Sequence, residues 1–170
     1  MTIDPDAAGP SISRAQTPAE LASARELMRE YAERLAVDLC FQQFDVELER
    51  LGEMYGPPGG VLLIARLGAI PVGCVGLRAL SAELCEMKRL YIRAAARGGG
   101  LGRRLATTVI AQARELGYRR MVLDTLAPMH EARSLYAALG FRECLPYYDN
   151  PLPGAIYMAL DLATAVAPAR

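Results

Sequence analysis

The sequence predicts one α+β domain with a mixed, mostly antiparallel sheet and about four flanking helices. Three apolar segments between residues 61 and 92 are joined by short turns, which is typical of an antiparallel meander. A strand–helix–strand pattern covers residues 84–125, and this pattern predicts a parallel pair of strands joined by a crossover. The chain has 170 residues and shows neither a linker nor an internal repeat, so it fits a single domain.

The domain is expected to cover residues 11–163. Residues 1–10 are rich in Ala, Pro, Gly and Asp, and they are predicted to form a disordered tail. Residues 164–170 are assigned to a second tail.

The first third of the chain predicts a short strand at residues 11–16 and then two helices. The segment Thr17-Pro18-Ala19-Glu20 combines a capping threonine, a proline at the first helical position and the glutamate of a capping box. A helix is therefore expected from this segment to about Val37, where apolar residues recur at helical spacing. A second helix is expected over residues 41–51.

The rest of the chain predicts strands and helices in alternation. Strands are expected at residues 61–65, 71–79, 84–92, 120–125, 141–145 and 155–160. Helices are expected at residues 101–116 and 129–139. Each of these two helices is followed by a glycine, which ends helices because it adopts the left-handed conformation readily.

Composition favours a soluble protein of the cytoplasm. No stretch approaches the roughly 18 uninterrupted apolar residues of a membrane span. The amino terminus has neither a basic start nor an apolar run, so no signal peptide is expected. The cysteines are far apart and the chain has one histidine, so the thiols are expected to be free and no metal site is expected. The four cysteines are Cys40, Cys74, Cys85 and Cys144.

Charge is unevenly distributed along the chain. Residues 1–60 carry 5 basic and 11 acidic groups, whereas residues 61–125 carry 11 basic and 4 acidic groups. A positive middle suits a polyanionic ligand and an acidic first third suits a cationic substrate, although each excess can equally be a solvated face. Basic residues are not interleaved with aromatic ones, so no nucleic-acid partner is expected. A membrane partner is not expected either.

A glycine-rich segment, Arg97-Gly98-Gly99-Gly100-Leu101-Gly102, stands between a predicted strand and a predicted helix. Such a turn presents unblocked backbone N–H groups at the positive end of the helix dipole, which favours binding of phosphate oxygens. A dinucleotide fingerprint would need glycine where Arg103 or Leu105 stands, and a P-loop would need a lysine, whereas the only lysine is Lys88. Neither nucleotide motif fits, and a loop without a ligand remains the alternative.

The pattern Arg97-x-x-Gly100-x-Gly102 resembles the R/Q-x-x-G-x-G/A signature of the GNAT superfamily of acyl-CoA-dependent N-acyltransferases. Residues 86–92 resemble the fourth strand of that family. The segment Ala132-x-x-Leu135-Tyr136-x-x-x-Gly140-Phe141 resembles its later helix and the entry to the next strand. The predicted elements also follow the family's order, so the resemblance covers residues 11–162. It implies a fold whose fourth and fifth strands splay apart.

The resemblance implies that the pantetheine arm of CoA lies between the splayed strands. The backbone around Leu90 and Ile92 would then pair with the pantetheine and hold the thioester carbonyl, while residues 98–103 would hold the pyrophosphate. The cofactor-binding residues predicted on this basis are Leu90, Tyr91, Ile92, Arg97, Gly98, Gly99, Gly100, Leu101, Gly102 and Arg103.

Two residues are candidates for catalysis. The family commonly uses a tyrosine at the place of Tyr136 to protonate the departing CoA thiolate, and a packed aromatic ring is the alternative. Strand alternation would place Glu86 and Lys88 on the same face as Leu90 and Ile92. Glu86 could accept the amine proton, anchor the substrate or simply pair with Lys88.

A polar, proline-flanked loop that includes Tyr147, Tyr148 and Asn150 is predicted to line the acceptor pocket, with Phe41 and the following two residues on the opposite wall. The activity implied is metal-free transfer of an acetyl group from acetyl-CoA to a primary amine, by direct attack. A small-molecule amine is expected as the acceptor, and a monomer or homodimer as the assembly. A protein lysine or N-terminal acetyltransferase and a non-catalytic CoA-binding module are the alternatives.

Overall fold

The computed structural model describes residues 9–39 and 43–163. Within these residues the chain forms seven strands, which are β1 (Ser11–Arg14), β2 (Val61–Leu67), β3 (Ile70–Ala79), β4 (Leu84–Ile92), β5 (Arg120–Leu126), β6 (Arg142–Glu143) and β7 (Ala155–Asp161). The α-helices of the same residues are α1 (Pro18–Leu35), α2 (Phe44–Glu49), α3 (Leu51–Met54), α4 (Leu101–Glu115) and α5 (His130–Ala138). The strands form one sheet in the order β1-β2-β3-β4-β5-β7-β6. Apart from Gly9 and Pro10, the predicted tails lie outside the described residues.

The predicted mixed sheet is confirmed. β2, β3 and β4 form the antiparallel meander, and α4 is the crossover between the parallel strands β4 and β5. β7 lies between β5 and β6 and runs antiparallel to both. The capping box is also present, because Thr17 accepts from the backbone of Glu20 and the Glu20 side chain accepts from the backbone of Thr17.

Two predicted elements differ in the structure. The helix expected at residues 41–51 begins at Phe44 within the described part and breaks at Arg50, where φ is −109° and ψ is 27°, so that α2 and α3 replace one helix. The strand expected at residues 141–145 is reduced to β6. Cys144 still donates to the carbonyl of Tyr157, but Pro146 has no N–H group with which to extend the ladder.

Helices cover both faces of the sheet. α1 packs its buried residues Ala24, Leu27 and Met28 against one face, in a core that includes Ile64 of β2. α4 covers the other face with residues that include Leu105 and Val109. The sheet is therefore buried on both sides in its centre, which explains the continuous apolar runs of β2 and β3.

The splay of the central strands is confirmed. β4 and β5 pair over three positions, Leu84↔Arg120, Cys85↔Met121 and Glu86↔Val122. Beyond Glu86, β4 remains paired with β3 as far as Ile92, but its other edge has no partner strand among the described residues. This edge borders a cavity lined by Leu90, Tyr91 and Ile92.

A β-bulge in β4 overturns the predicted face of its last residues. Gly76 pairs with Lys88 and Cys74 pairs with Tyr91, so one residue of β3 faces two of β4, and Arg89 adopts a φ of 60°. The extra residue reverses the alternation. Lys88 lies on the α2 face, whereas Ile92 packs in the core on the α4 face. The expectation that Glu86 and Lys88 share a face with Leu90 and Ile92 is therefore wrong.

None of the helices formed by residues 9–39 and 43–163 combines the length and apolarity that a bilayer span requires.

Candidate active site

A cavity of about 740 Å³ lies where β4 and β5 part. Its walls come from α1, the end of β4, the glycine turn and α5. Most of the predicted cofactor-binding residues line it together, and these are Leu90, Tyr91, Ile92, Arg97, Gly98, Gly100, Leu101 and Gly102. Gly99 and Arg103 belong to the same turn and helix start but do not line the cavity.

The glycine turn presents an open backbone surface to this cavity. Gly98 and Gly100 have φ values of 88° and 75°, a region that favours glycine, and a Cβ on either would meet nothing within 4 Å. Gly100 is the N-cap of α4 and provides no side chain to cap the helix. The first hydrogen bond within α4 runs from the N–H of Arg104 to the carbonyl of Gly100. The N–H groups that precede Arg104 have no partner within the helix, and they are therefore suited to binding an anionic ligand.

Arg97 ties this turn to the end of β4. Its Nε donates to the carbonyl of Ile92 at 2.9 Å, and its guanidinium carbon lies 5.9 Å from the centre of the Tyr91 ring. Arg97 is an exposed residue and lines the cavity. Arg97 can therefore place positive charge beside the turn while it fixes the path of the backbone.

Tyr136 is buried on α5, one residue after the cavity-lining Leu135. Its ring packs on Phe141, with 5.7 Å between the ring centres. Burial raises the pKa of the Tyr136 phenol, and the nearby Tyr31 and Asp124 raise it further. The phenol therefore keeps its proton, as a proton donor must. Its predicted catalytic role stays a prediction.

Glu86 is completely buried and is engaged by several donors. Nε of Arg78 lies 2.6 Å from one carboxylate oxygen, and the Tyr147 hydroxyl donates to the other at 2.5 Å. Lys88 Nζ lies 3.8 Å from the carboxylate. The catalytic role predicted for Glu86 stays a prediction, and these contacts favour the alternative in which Glu86 holds neighbouring side chains in place.

The bulge in β4 is supported by a buried network of side chains that no sequence motif predicts. Arg89 donates from Nε and Nη2 to the two carboxylate oxygens of Glu47, at 2.9 and 2.7 Å. The Tyr55 hydroxyl donates to the same carboxylate at 2.7 Å, and the Cys74 thiol donates to the Arg89 carbonyl at 3.4 Å. An arginine within a predicted strand was the available signal, because a buried charge requires a partner.

A second cavity, of about 480 Å³, lies under α2 on the same face as Glu86 and Lys88. We call it the acceptor pocket. Gln43 and Tyr148, which were predicted to belong to opposite walls of the substrate pocket, both line this cavity, whereas Phe41 lies outside the described residues. That these residues contact the acceptor stays a prediction. The full lining is Gln43, Val46, Glu47, Arg50, Glu53, Met54, Arg78, Lys88 and Tyr148.

The loop between β6 and β7 is held against the sheet by Asp124 of β5. The Tyr148 hydroxyl and the Asn150 amide both donate to the same oxygen of Asp124, the latter at 2.8 Å. The Asn150 carbonyl oxygen accepts from the backbone of Leu152 at 2.9 Å. Asn150 therefore organises the loop, and its predicted contact with substrate stays a prediction.

Asp124 was absent from the predicted site because its role depends on the fold of a distant loop. It belongs to β5, and its partner Asn150 is 26 residues away in the chain. A polar residue near the end of a predicted strand was the only local signal.

The model of the acetyltransferase (GNAT) family matches residues 22–141. The chain belongs to this family. An uncharacterised N-acetyltransferase of Schizosaccharomyces pombe is 41% identical over 155 residues, which make up 90% of this chain and 95% of the relative. The resemblance on which the sequence analysis relied is thereby confirmed.

Solved structures agree with this GNAT assignment. An acetyltransferase of the GNAT family from Staphylococcus aureus aligns with a TM-score of 0.76 at 21% identity, covering 91% of this chain and 99% of that chain. A Salmonella typhimurium protein, whose structure contains its cofactor acetyl-CoA, aligns with a TM-score of 0.66 at 20% identity. The alignment covers 95% of this chain and 99% of that chain. At these identities the likeness shows the fold. Together with the family match, it shows a GNAT acetyltransferase.

Proposed function

We propose that this GNAT protein transfers the acetyl group of acetyl-CoA to the primary amine of a small molecule. The observation that carries the proposal is the cavity of about 740 Å³ at the split between β4 and β5. It joins an unpaired strand edge beyond Glu86 to a glycine turn at the start of a helix. These two features match the two polar parts of CoA, its amide-bearing arm and its pyrophosphate.

The residues of the cavity fit CoA. The space above Gly98 and Gly100 is open, so phosphate oxygens can approach the backbone closely. N–H groups at the start of α4 can donate to these oxygens, and Arg97 adds charge. The free edge of β4 around Leu90 and Ile92 can bond the amides of the pantetheine as an added strand would.

Acetyl-CoA supplies an acetyl group that is already activated as a thioester. The chain holds donor and acceptor side by side, which can account for roughly 7 kcal/mol of the barrier or more. In the transfer the amine nitrogen forms a C–N bond with the acetyl carbon, the C–S bond breaks, CoA leaves as its thiol, and the proton lost by the amine passes to water. The backbone around Leu90 and Ile92 holds the thioester carbonyl, and Tyr136 gives its phenol proton to the sulfur and recovers one from water.

The acceptor pocket favours a small molecule over a protein chain. α2 bounds the pocket on one side, and Tyr148 of the β6–β7 loop bounds it on the other. The loop is anchored by hydrogen bonds from Tyr147 to Glu86 and from Asn150 to Asp124. A pocket of about 480 Å³ is large enough for an amino acid or a small amine.

The test measures CoA thiol release from acetyl-CoA with amino acids, polyamines, aminoglycosides and peptides as acceptors. Calorimetry with acetyl-CoA runs in parallel. Thiol release with a small amine supports the proposal, whereas release with peptides alone indicates a protein acetyltransferase. Binding of acetyl-CoA without release indicates a non-catalytic module, and an absence of binding overturns the proposal entirely.

A further inference from the structure

The wall of the acceptor pocket carries more positive than negative charge. Arg50, Arg78 and Lys88 all line it. Arg78 and Lys88 are both in contact with one carboxylate, that of Glu86, at 2.6 and 3.8 Å. Arg78 and Lys88 therefore share this carboxylate.

Both acidic residues of the same lining are paired with arginines. Both carboxylate oxygens of Glu47 accept from Arg89, a residue that adds another positive charge behind the wall. Glu53 pairs at 2.5 Å with Arg50 on the exposed rim. Among the described residues, three cations and two carboxylates line the pocket, and this excess of one positive charge favours an anionic group, whereas the acidic first third of the chain suggested a cationic substrate.

The cations are set in a low-dielectric environment. The side chain of Lys88 is 5% exposed and that of Arg78 is 32% exposed. Burial lowers the pKa of Lys88, although the charge of Glu86 opposes this change. An anion in the pocket would stabilise the protonated lysine, and hydrogen bonds to charged partners are stronger here than in water.

The pocket lies beside the proposed site of transfer. Lys88 precedes Leu90 by two residues on β4, with the bulge at Arg89 between them. Tyr148, on the opposite side of the pocket, is bonded to Asp124 of β5. A molecule whose acidic group is held at Lys88 can therefore direct an amine a few atoms away towards the split between the two strands.

We propose that the acceptor is a primary amine that also carries an acidic group, as amino acids and aminoalkyl phosphates do, and that Arg78 and Lys88 bind this group. The inference rests on the proposed function, and it specifies the class of acceptor. Glu86 serves as a positioning residue that keeps both cations directed at the pocket.

The first arm of the test compares thiol release with L-amino acids and with their carboxamides, and with O-phosphoethanolamine and ethanolamine. The amine of a carboxamide is the weaker base, so its reactive neutral form is more abundant, and intrinsic reactivity favours the amide. We expect kcat/KM to be at least about tenfold higher for the acidic member of each productive pair. The two series distinguish a carboxylate from a phosphate. Equal use of both members of each pair overturns the inference and leaves the proposed function intact.

The second arm uses Lys88→Met, which keeps the pair between Arg78 and Glu86. We expect the KM of the acidic acceptor to rise about tenfold or more, while the KM of acetyl-CoA stays within about twofold. Arg142→Gln, which changes an exposed charge on the edge strand β6, is the control and should alter neither constant. An unchanged acceptor KM in Lys88→Met contradicts the inference.

A third arm decides the inference even if no amine is acetylated. Calorimetry in the presence of CoA compares N-acetyl-L-methionine with its carboxamide. N-acetylglycine is compared with its carboxamide in the same way. Binding of the acids by the wild type, and weaker binding by Lys88→Met, supports the anion site. Failure of every acid to bind overturns it, whereas failure of acetyl-CoA to bind is the separate failure of the proposed function.

Discussion

Arg89 and Glu47 form a buried, bidentate ion pair that joins the bulge of β4 to α2, with N–O distances of 2.9 and 2.7 Å. The two residues are 42 positions apart in the chain. β4 provides the edge proposed for CoA, and α2 provides a wall of the acceptor pocket. The pair therefore fixes the two halves of the candidate site relative to each other.

Replacement of Glu47 by glutamine should destabilise the protein strongly. The substitution leaves the buried guanidinium of Arg89 without a counter-charge, which costs about 3–5 kcal/mol in comparable cases. Glu53→Gln is a matched control, because Glu53 also pairs with an arginine but at an exposed site, where the cost is about 1 kcal/mol or less. Urea denaturation measures both free energies of unfolding. Similar losses in the two variants would contradict a structural role for the Glu47 pair.

Glu47 should also make stability depend on acid pH. Burial opposes its ionisation, but the hydrogen bonds and charge of Arg89 outweigh that effect and hold the pKa of Glu47 below its ordinary value. The stabilisation is therefore complete above the unfolded-state pKa of about 4.3, and it is lost as pH falls through the lower folded-state pKa. Thermal unfolding is measured at pH values from 7 to 3. The difference in Tm between wild type and Glu47→Gln should become smaller below about pH 4.3. A difference in Tm that stays constant over this pH range would contradict the prediction.

Gly98→Ala should weaken acetyl-CoA binding by about tenfold, because its methyl group enters the space proposed for the pyrophosphate. Gly117→Ala is the control, since both glycines have a φ of 88° and open space at the Cβ position. Both variants should lose about 1–2 kcal/mol of stability from the left-handed conformation. Calorimetry with acetyl-CoA should show weaker binding by Gly98→Ala than by Gly117→Ala. Equal affinities of the two variants for acetyl-CoA would show that residues 98–102 do not form the phosphate site.

Tyr136→Phe should lower kcat about a hundredfold and leave the Kd of acetyl-CoA within about twofold. The phenylalanine keeps the packing against Phe141, so the fold is retained. Because burial raises the pKa of Tyr136 above its ordinary value, wild-type kcat should not fall from loss of this proton between pH 8 and 10. Tyr118→Phe is the control and should leave kcat unchanged, because it removes a hydroxyl that donates to the carbonyl of Gly59, and Tyr118 precedes the end at which β4 and β5 are paired. Full turnover in Tyr136→Phe would exclude Tyr136 as the acid.

Glu86→Gln should raise the acceptor KM about tenfold, because Arg78 and Lys88 lose the carboxylate that positions both of them. The shape of the kcat profile across pH 6–9 should be retained. A general base at this position would instead give a loss of kcat and an altered pH profile. Steady-state kinetics across this range therefore decides between the positioning role and the catalytic role.

Local signals predicted most elements well. The bounds of β4, Leu84–Ile92, match the predicted strand because turns flank it on both sides. The capping box at Thr17 and Glu20 is likewise a short-range arrangement, complete within one helical turn. The break at Arg50 was missed, since the apolar spacing continues through it and gives no sign of the interruption.

The positions of functional side chains were harder to predict than the elements that carry them. Strand alternation placed Ile92 on the wrong face, because it assumes a regular ladder and Arg89 inserts one extra residue. That insertion is stabilised by Glu47, a residue remote in sequence. Asp124 was missed for the same reason, as its partner Asn150 arrives from another loop.

The family, the order of the elements and the place of the glycine turn all follow from local sequence patterns, and the glycines of that turn act through their own backbone conformation. The tertiary structure alone decided which side chains face the acceptor pocket and what charge they present there. Lys88 and Glu86 appear in sequence only as opposite charges two residues apart. Their burial beside Arg78, and the bulge that separates them from Ile92, result from contacts between distant segments, and these contacts set the chemistry of the site.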